Sequence, residues 1–149
     1  MVDIRRITVA EFFEKAWPLL VAHREELTTN KDLMVLKPAR PVYDAIEQVG
    51  CLLVLAAYDG DEMVGYSANI LAPNMHYADV FQCQNDVLFT TPSARGRTGL
   101  DLIAATEKAA RESGCQVVLW HAKPGTALDK LMQAKGVRVQ DIVYMKELG

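Results

Sequence analysis

The stretch that decides the fold is Val87-Leu88-Phe89-Thr90-Thr91-Pro92-Ser93-Ala94-Arg95-Gly96-Arg97-Thr98-Gly99-Leu100-Asp101-Leu102-Ile103. Val87 and Phe89 alternate with Leu88 and Thr90, the period of a strand, and Leu102, Ile103, Ala105, Ala109 and Ala110 recur with the period of a helix. Between them a proline-marked, glycine-bearing turn opens the helix. The first N–H groups of a helix have no partner within it, and the helix dipole places about half a positive charge there. Gly96 and Gly99 carry no Cβ to keep an anion from that backbone. Arg95 and Arg97 stand where a cation is unfavourable by roughly 0.3–1 kcal/mol. A bound anion reverses that sign, and each charge-assisted hydrogen bond to it contributes about 1.5–3 kcal/mol. The turn reads as a candidate diphosphate site. The Gly-Lys-Ser or Gly-Lys-Thr of a Walker loop is absent, as is the Gly-x-Gly that follows a strand in dinucleotide folds.

Working outward, the helix spans residues 97–113 and stops at Gly114, and residues 116–122 form an apolar, β-branched strand. Strand, helix and strand with short connections imply a right-handed crossover between parallel strands. Upstream, the apolar runs 51–58 and 62–71 flank Asp59-Gly60-Asp61, a hairpin signal, and residues 79–90 make a third strand. At the N-terminus, a strand over 2–7 precedes Thr8, which stands three residues before Glu11 in a capping-box arrangement. The helix it opens carries Phe12, Phe13, Ala16, Leu19 and Leu20, and Pro18 kinks or interrupts it. A polar loop over 28–41 leads to a short helix over 42–49 that starts at Pro41. The last third is a helix over 124–135 stopped by Gly136, then a final strand over 142–148. This order describes an α/β (mixed α+β) fold, a mixed sheet covered by helices.

Half of the 149 residues are hydrophobic, with no linker or repeat, so one domain over 1–149 is expected. A net charge of −3 argues against a nucleic-acid partner. No apolar run approaches the roughly 20 residues of a membrane span, and the first residues lack the apolar core of a signal peptide. A soluble, cytoplasmic protein is expected. Cys51, Cys83 and Cys115 lie far apart and read as reduced, buried small hydrophobes. His23, His76 and His121 are scattered without ligand spacing, so no metal site is expected.

The strand end, proline and Arg-Gly turn of Thr90-Thr91-Pro92-Ser93-Ala94-Arg95-Gly96 resemble the GNAT superfamily of acyl-CoA-dependent N-acetyltransferases. The element order is similar to that family along nearly the whole chain. His76-Tyr77, Asn85-Asp86 and the Arg-Gly turn are similar to short members encoded by phages and prophages. The family's pattern, Arg/Gln-x-x-Gly-x-Gly/Ala, falls on Thr98 and Leu100 here, whereas the glycine present is Gly99, so the turn reads as one residue shorter. The family's Gly-Phe step is Gly136-Val137. The resemblance implies a GNAT-like, mostly antiparallel sheet with a splayed parallel central strand pair and helices on both faces. It also implies acetyl-CoA as cosubstrate, with no metal. The pantetheine would lie in the splay, bonded by the backbone of Leu88, Phe89 and Thr90. The N–H groups from Arg95 through Gly96, Arg97 and Thr98 to Gly99 would hold the pyrophosphate, with Arg95 or Arg97 supplying charge. The acceptor would be a small-molecule or peptide amine, and a homodimer is implied by resemblance alone.

Direct attack of an amine on a thioester needs a neutral amine and a proton for the leaving thiolate. A lysine-like amine is neutral in only about one molecule per thousand near neutral pH, a penalty of roughly 4 kcal/mol, so a base matters. In many family members a tyrosine some four residues before the last helix's closing glycine is the acid; here that position is Met132, which leaves Tyr144 or Tyr77. Asp86 stands mid-strand, unfavourable for a carboxylate unless it faces a polar cavity, and is a candidate base. His76 and His121 are the other bases, His121 at the C-terminal end of its strand, where ligands collect. Glu25 and Glu26 border the loop that shapes the family's acceptor pocket and would favour a cationic amine. Met132 in place of the tyrosine keeps a second function open: a non-catalytic module that binds CoA or a protein partner.

Overall fold

A computed structural model describes all 149 residues. Strand β1 (Val2–Arg6) opens the chain, and Thr8 caps the next helix, its Oγ1 accepting from the Glu11 N–H at 3.2 Å. Pro18 divides that helix into α1 (Val9–Lys15) and α2 (Trp17–Leu27), joined at Ala16. Pro18 falls in the first turn of α2, where a missing N–H costs no internal bond. After α3 (Arg40–Gln48), strands β2 (Leu52–Asp59) and β3 (Glu62–Pro73) pair antiparallel around Gly60-Asp61, with Gly60 at φ +62°. Strand β4 (Phe81–Thr90) leads through a single 3-10 turn (Pro92–Ala94) into α4 (Arg97–Glu112), followed by β5 (Val117–Leu119) and α5 (Ala127–Ala134).

The sheet runs β1-β2-β3-β4-β5, antiparallel except for the parallel pair β4 and β5. Helices cover both faces. On one, Val9, Phe12, Ala16 and Leu19 of the N-terminal helices pack with Val54, Tyr66 and Phe89; on the other, Leu102 and Ala110 of α4 pack with Leu53, Leu55 and Cys83. Burial of β2 from both sides explains its unbroken apolar run. No helix is long and apolar enough to cross a membrane.

Three expectations need correction. The strand expected over 116–122 contracts to Val117–Leu119, with Val117 42% exposed. The final strand over 142–148 does not form: residues 137–149 pair with no strand, and Ile142, Val143, Tyr144, Met145 and Leu148 are exposed. The parallel pair accordingly lies at the margin of the sheet, with β5 as its edge. Strand propensity acts only through a partner, and a β5 of 3 residues offers few ladder positions. Of the cysteines, Cys83 is buried but Cys51 and Cys115 are only half-buried; all three are free thiols. Burial, with the neighbouring Cys115 second, pushes the Cys83 thiol up to about 12.

Candidate functional site

The site begins where β4 outruns its neighbour. The parallel register pairs Gln82 with Val117, Cys83 with Val118 and Gln84 with Leu119, then ends, while β4 continues to Thr90. Thr91 N–H donates to the Val64 carbonyl of β3 at 2.9 Å. Alternate residues of a strand turn their backbone groups to opposite sides, so those of Leu88 and Thr90 face away from β3, into the gap.

A bulge sets the phase of this segment. Ala68 pairs with Val87 and Asn69 with Asn85, which leaves Asp86 as the extra residue. A buried polar cluster underlies it: Asn85 Nδ2 donates to Asn69 Oδ1 at 2.9 Å and to the Val87 carbonyl at 3.1 Å. Asn69 Nδ2 donates in turn to the Leu53 carbonyl and to Ser67 Oγ, both at 3.0 Å. Thr106 of α4 completes the cluster, its Oγ1 3.0 Å from Ser67 Oγ and donating to the Leu102 carbonyl at 2.8 Å. Asp86 itself is exposed, which resolves the oddity of a carboxylate in mid-strand. Its charge reaches Tyr43 of α3, whose hydroxyl is raised above its ordinary range by burial first and by Asp86 second.

At the far end of β4, Gly96 takes φ +89° and ψ −105° and stands as the N-cap of α4 without any side-chain cap. Only glycine adopts such a conformation readily. The Thr98 side chain is buried in the core, leaving its N–H as the group it offers. Nothing lies within 4 Å of where a Cβ on Gly99 would stand. The two arginines diverge. Arg97 turns along its own helix, Nε 3.0 Å from both Asp101 carboxylate oxygens. Arg95 folds back: its Nε donates to the Thr90 carbonyl at 3.3 Å, its guanidinium lies 5.6 Å over the Phe89 ring, and it forms an ion pair with Glu26 of α2.

The four candidate acid–base residues are not brought together. His76 lies exposed in the connection before β4, its N–H accepted by Asn74 Oδ1 at 2.9 Å. His121 is exposed just after β5, and Tyr144, 89% exposed, sits on the unpaired C-terminal segment. Tyr77 is likewise exposed, and Met132 is buried on α5.

A cluster not singled out from the sequence lies beside Phe89. The His23 imidazole of α2 stacks on the Phe89 ring, centroids 4.9 Å apart at 17°, and its Nδ1 is 2.8 Å from the Tyr66 hydroxyl. Tyr66 is fully buried and His23 is the partner of its hydroxyl. With that hydroxyl donating to Nδ1, the neutral ring carries its proton on Nε2. Burial holds the His23 pKa below its ordinary value; Glu26 opposes this and Lys123 adds to it. The Lys123 ammonium, in the segment after β5, donates to the Leu27 carbonyl and ties that segment to the end of α2. The sequence signal for this cluster was Tyr66 itself, a phenol in an apolar run whose hydroxyl needs a partner; the partner's identity is set by packing. An apolar surface cavity of about 240 Å³ between Phe13, Trp17, Leu20, Leu36, Lys37 and Pro38 lies apart from these residues.

No protein-family model matches the chain, and no curated protein matches its sequence. Solved structures do. A ribosomal-protein-alanine N-acetyltransferase from Brucella melitensis biovar Abortus 2308 superposes with a TM-score of 0.71 at 17% identity, covering 100% of both chains. Glucosamine-6-phosphate N-acetyltransferase from Arabidopsis thaliana gives a TM-score of 0.70 at 12% identity, over 100% of this chain and 99% of that one. AAC(6')-Iy in complex with the bisubstrate analogue CoA-S-monomethyl-acetylneamine gives 0.65 at 19% identity, over 99% and 98%. The chain has the fold of GNAT-superfamily N-acetyltransferases.

Proposed function

We propose that the chain is an acetyl-CoA-dependent N-acetyltransferase that passes the acetyl group to a primary amine by direct attack in a ternary complex. The observation that carries this reading is the continuation of β4 to Thr90 beyond the last β5 pair, ending at an uncapped helix N-terminus. Beyond the last β5 pair the Leu88 main chain and the Thr90 N–H have no strand partner, and such groups are of the kind an amide-bearing pantetheine arm bonds. The open N–H groups of Arg97, Thr98 and Gly99 and the Arg95 guanidinium suit a diphosphate. The free space at Gly99 fits close approach of an anion.

In the reaction the amine nitrogen bonds the acyl carbon as the carbon–sulfur bond breaks; the nitrogen gives up a proton and the thiolate gains one. Leu88 and Thr90 align the donor through the main-chain groups they turn away from β3, while Phe89, the residue between them, turns its main chain to β3 and contributes its ring under Arg95. Asp86 serves as the base, directly or through water; supporting this, the bulge leaves an exposed carboxylate on β4 two residues past the last β5 pair. His121, after β5, and His76 are the next candidates for proton transfer. Tyr144 is the candidate acid in place of Met132. Fixing the reactants in one geometry supplies the rest of the acceleration.

A second reading, a module that binds CoA or a protein partner without turnover, is favoured by Met132, buried where the family's acid stands. Thiol release from acetyl-CoA over a panel of polyamines, aminoglycosides, amino acids and peptides separates the two. Amine-dependent release supports the enzyme; CoA binding without release from any amine leaves the binding module.

A further inference from the structure

Resting on that reading, we propose that Glu26 is an internal competitor for the Arg95 guanidinium, holding the place that a diphosphate takes when the donor binds. Arg95 and Glu26 are separated by 69 positions and meet at the end of β4, beside the uncapped start of α4. Each side chain is about two-fifths exposed, 42% for Arg95 and 41% for Glu26, so the pair forms at a mouth open to water. Ion pairs of that kind are weak and exchange readily. The other two contacts of Arg95, to the Thr90 carbonyl and the Phe89 ring, hold the guanidinium at the strand end when the carboxylate leaves. Arg97 has no such role, since its partner Asp101 lies one turn along the same helix. A diphosphate brings more negative charge than one carboxylate, together with acceptors for the helix N–H groups, and displaces Glu26 from Arg95. Glu26 therefore occupies the guanidinium only in the empty site, and its carboxylate is released when the donor is loaded.

The sign of the effect separates this role from a merely structural one, because loss of a stabilising contact weakens binding whereas loss of a competitor strengthens it. Calorimetric titration of CoA at low ionic strength into the wild-type chain, Glu26→Gln and Glu25→Gln tests it. Glu25 makes the same charge change one residue away, from a carboxylate paired with Arg24. Glu26→Gln is expected to bind CoA about two- to fivefold tighter than wild type, and Glu25→Gln to move affinity by less. Equal or weaker binding by Glu26→Gln overturns the proposal, as does an equal gain in Glu25→Gln, which assigns the effect to overall charge. A wild-type chain that binds no CoA overturns the proposal together with the function it rests on.

Discussion

Asn85 and Asp86 are adjacent at the β4 bulge with opposite environments: the Asn85 side chain is 1% exposed and tied to Asn69 Oδ1 at 2.9 Å, while Asp86 pairs with no residue of β3 and faces water. One fixes the backbone irregularity and the other uses the direction it creates. Asn85→Leu leaves Asn69 Oδ1 buried without its donor and is expected to cost about 1–3 kcal/mol in urea unfolding. Asp86→Asn is expected to leave the unfolding midpoint close to wild type and to lower turnover by about 10²–10⁴-fold. Unchanged turnover in Asp86→Asn would retire it as the base.

Gly65 shows how tightly β4 is seated on β3. A Cβ there would lie 2.9 Å from Leu102 Cδ1 and 3.0 Å from both the Phe89 carbonyl oxygen and Thr90 Cγ2. The carbonyl belongs to a paired strand and has little room to yield. Gly65→Ala is expected to destabilise by about 1–3 kcal/mol and to weaken CoA binding with it, since Phe89 and Thr90 would have to move. A melting temperature equal to wild type would show that the strand end is softer than its packing indicates.

Gly99 makes the opposite case. With open space around its Cβ position, Gly99→Glu is expected to fold normally, as judged by an unchanged far-ultraviolet circular dichroism spectrum. The added carboxylate stands by the helix N–H groups that suit a diphosphate, so CoA affinity is expected to fall at least tenfold. Undiminished affinity would place the diphosphate elsewhere.

His23 gives a pH dependence whose sign follows from its burial. Its pKa is lowered in the folded chain, so between that value and the ordinary value near 6.5 the unfolded chain binds the extra proton. Stability therefore falls as pH drops below about 6.5 and levels off once the folded-state pKa is passed. Thermal melts between pH 5 and 7.5 are expected to show this slope in wild type and a shallower one in His23→Gln. Equal slopes would mean that His23 carries none of it.

Signals spanning a few residues were legible in the chain. Thr8 before Glu11, Pro18, Asp59-Gly60-Asp61 and the Arg95-Gly96 turn each act through neighbours in sequence, and each marks the boundary the structure shows. The Asp86 bulge was not legible, because the extra residue is defined only against Ala68 and Asn69 on the opposing strand. Nor was the contact of His23 with Tyr66 and Phe89, which joins a helix to two strands. The expected strand over 142–148 rested on propensity and on the resemblance of the Gly136-Val137 step before it, and without a partner along β5 that propensity has no ladder to join.

Amide chemical-shift mapping on the 15N-labelled chain titrated with CoA addresses the diphosphate turn and the strand gap together. Shifts concentrated at Leu88 to Thr90 and at Arg95 to Gly99 are the result expected from the geometry of β4 and α4. An unperturbed spectrum at millimolar CoA, or shifts confined to the cavity beside Trp17, would contradict it.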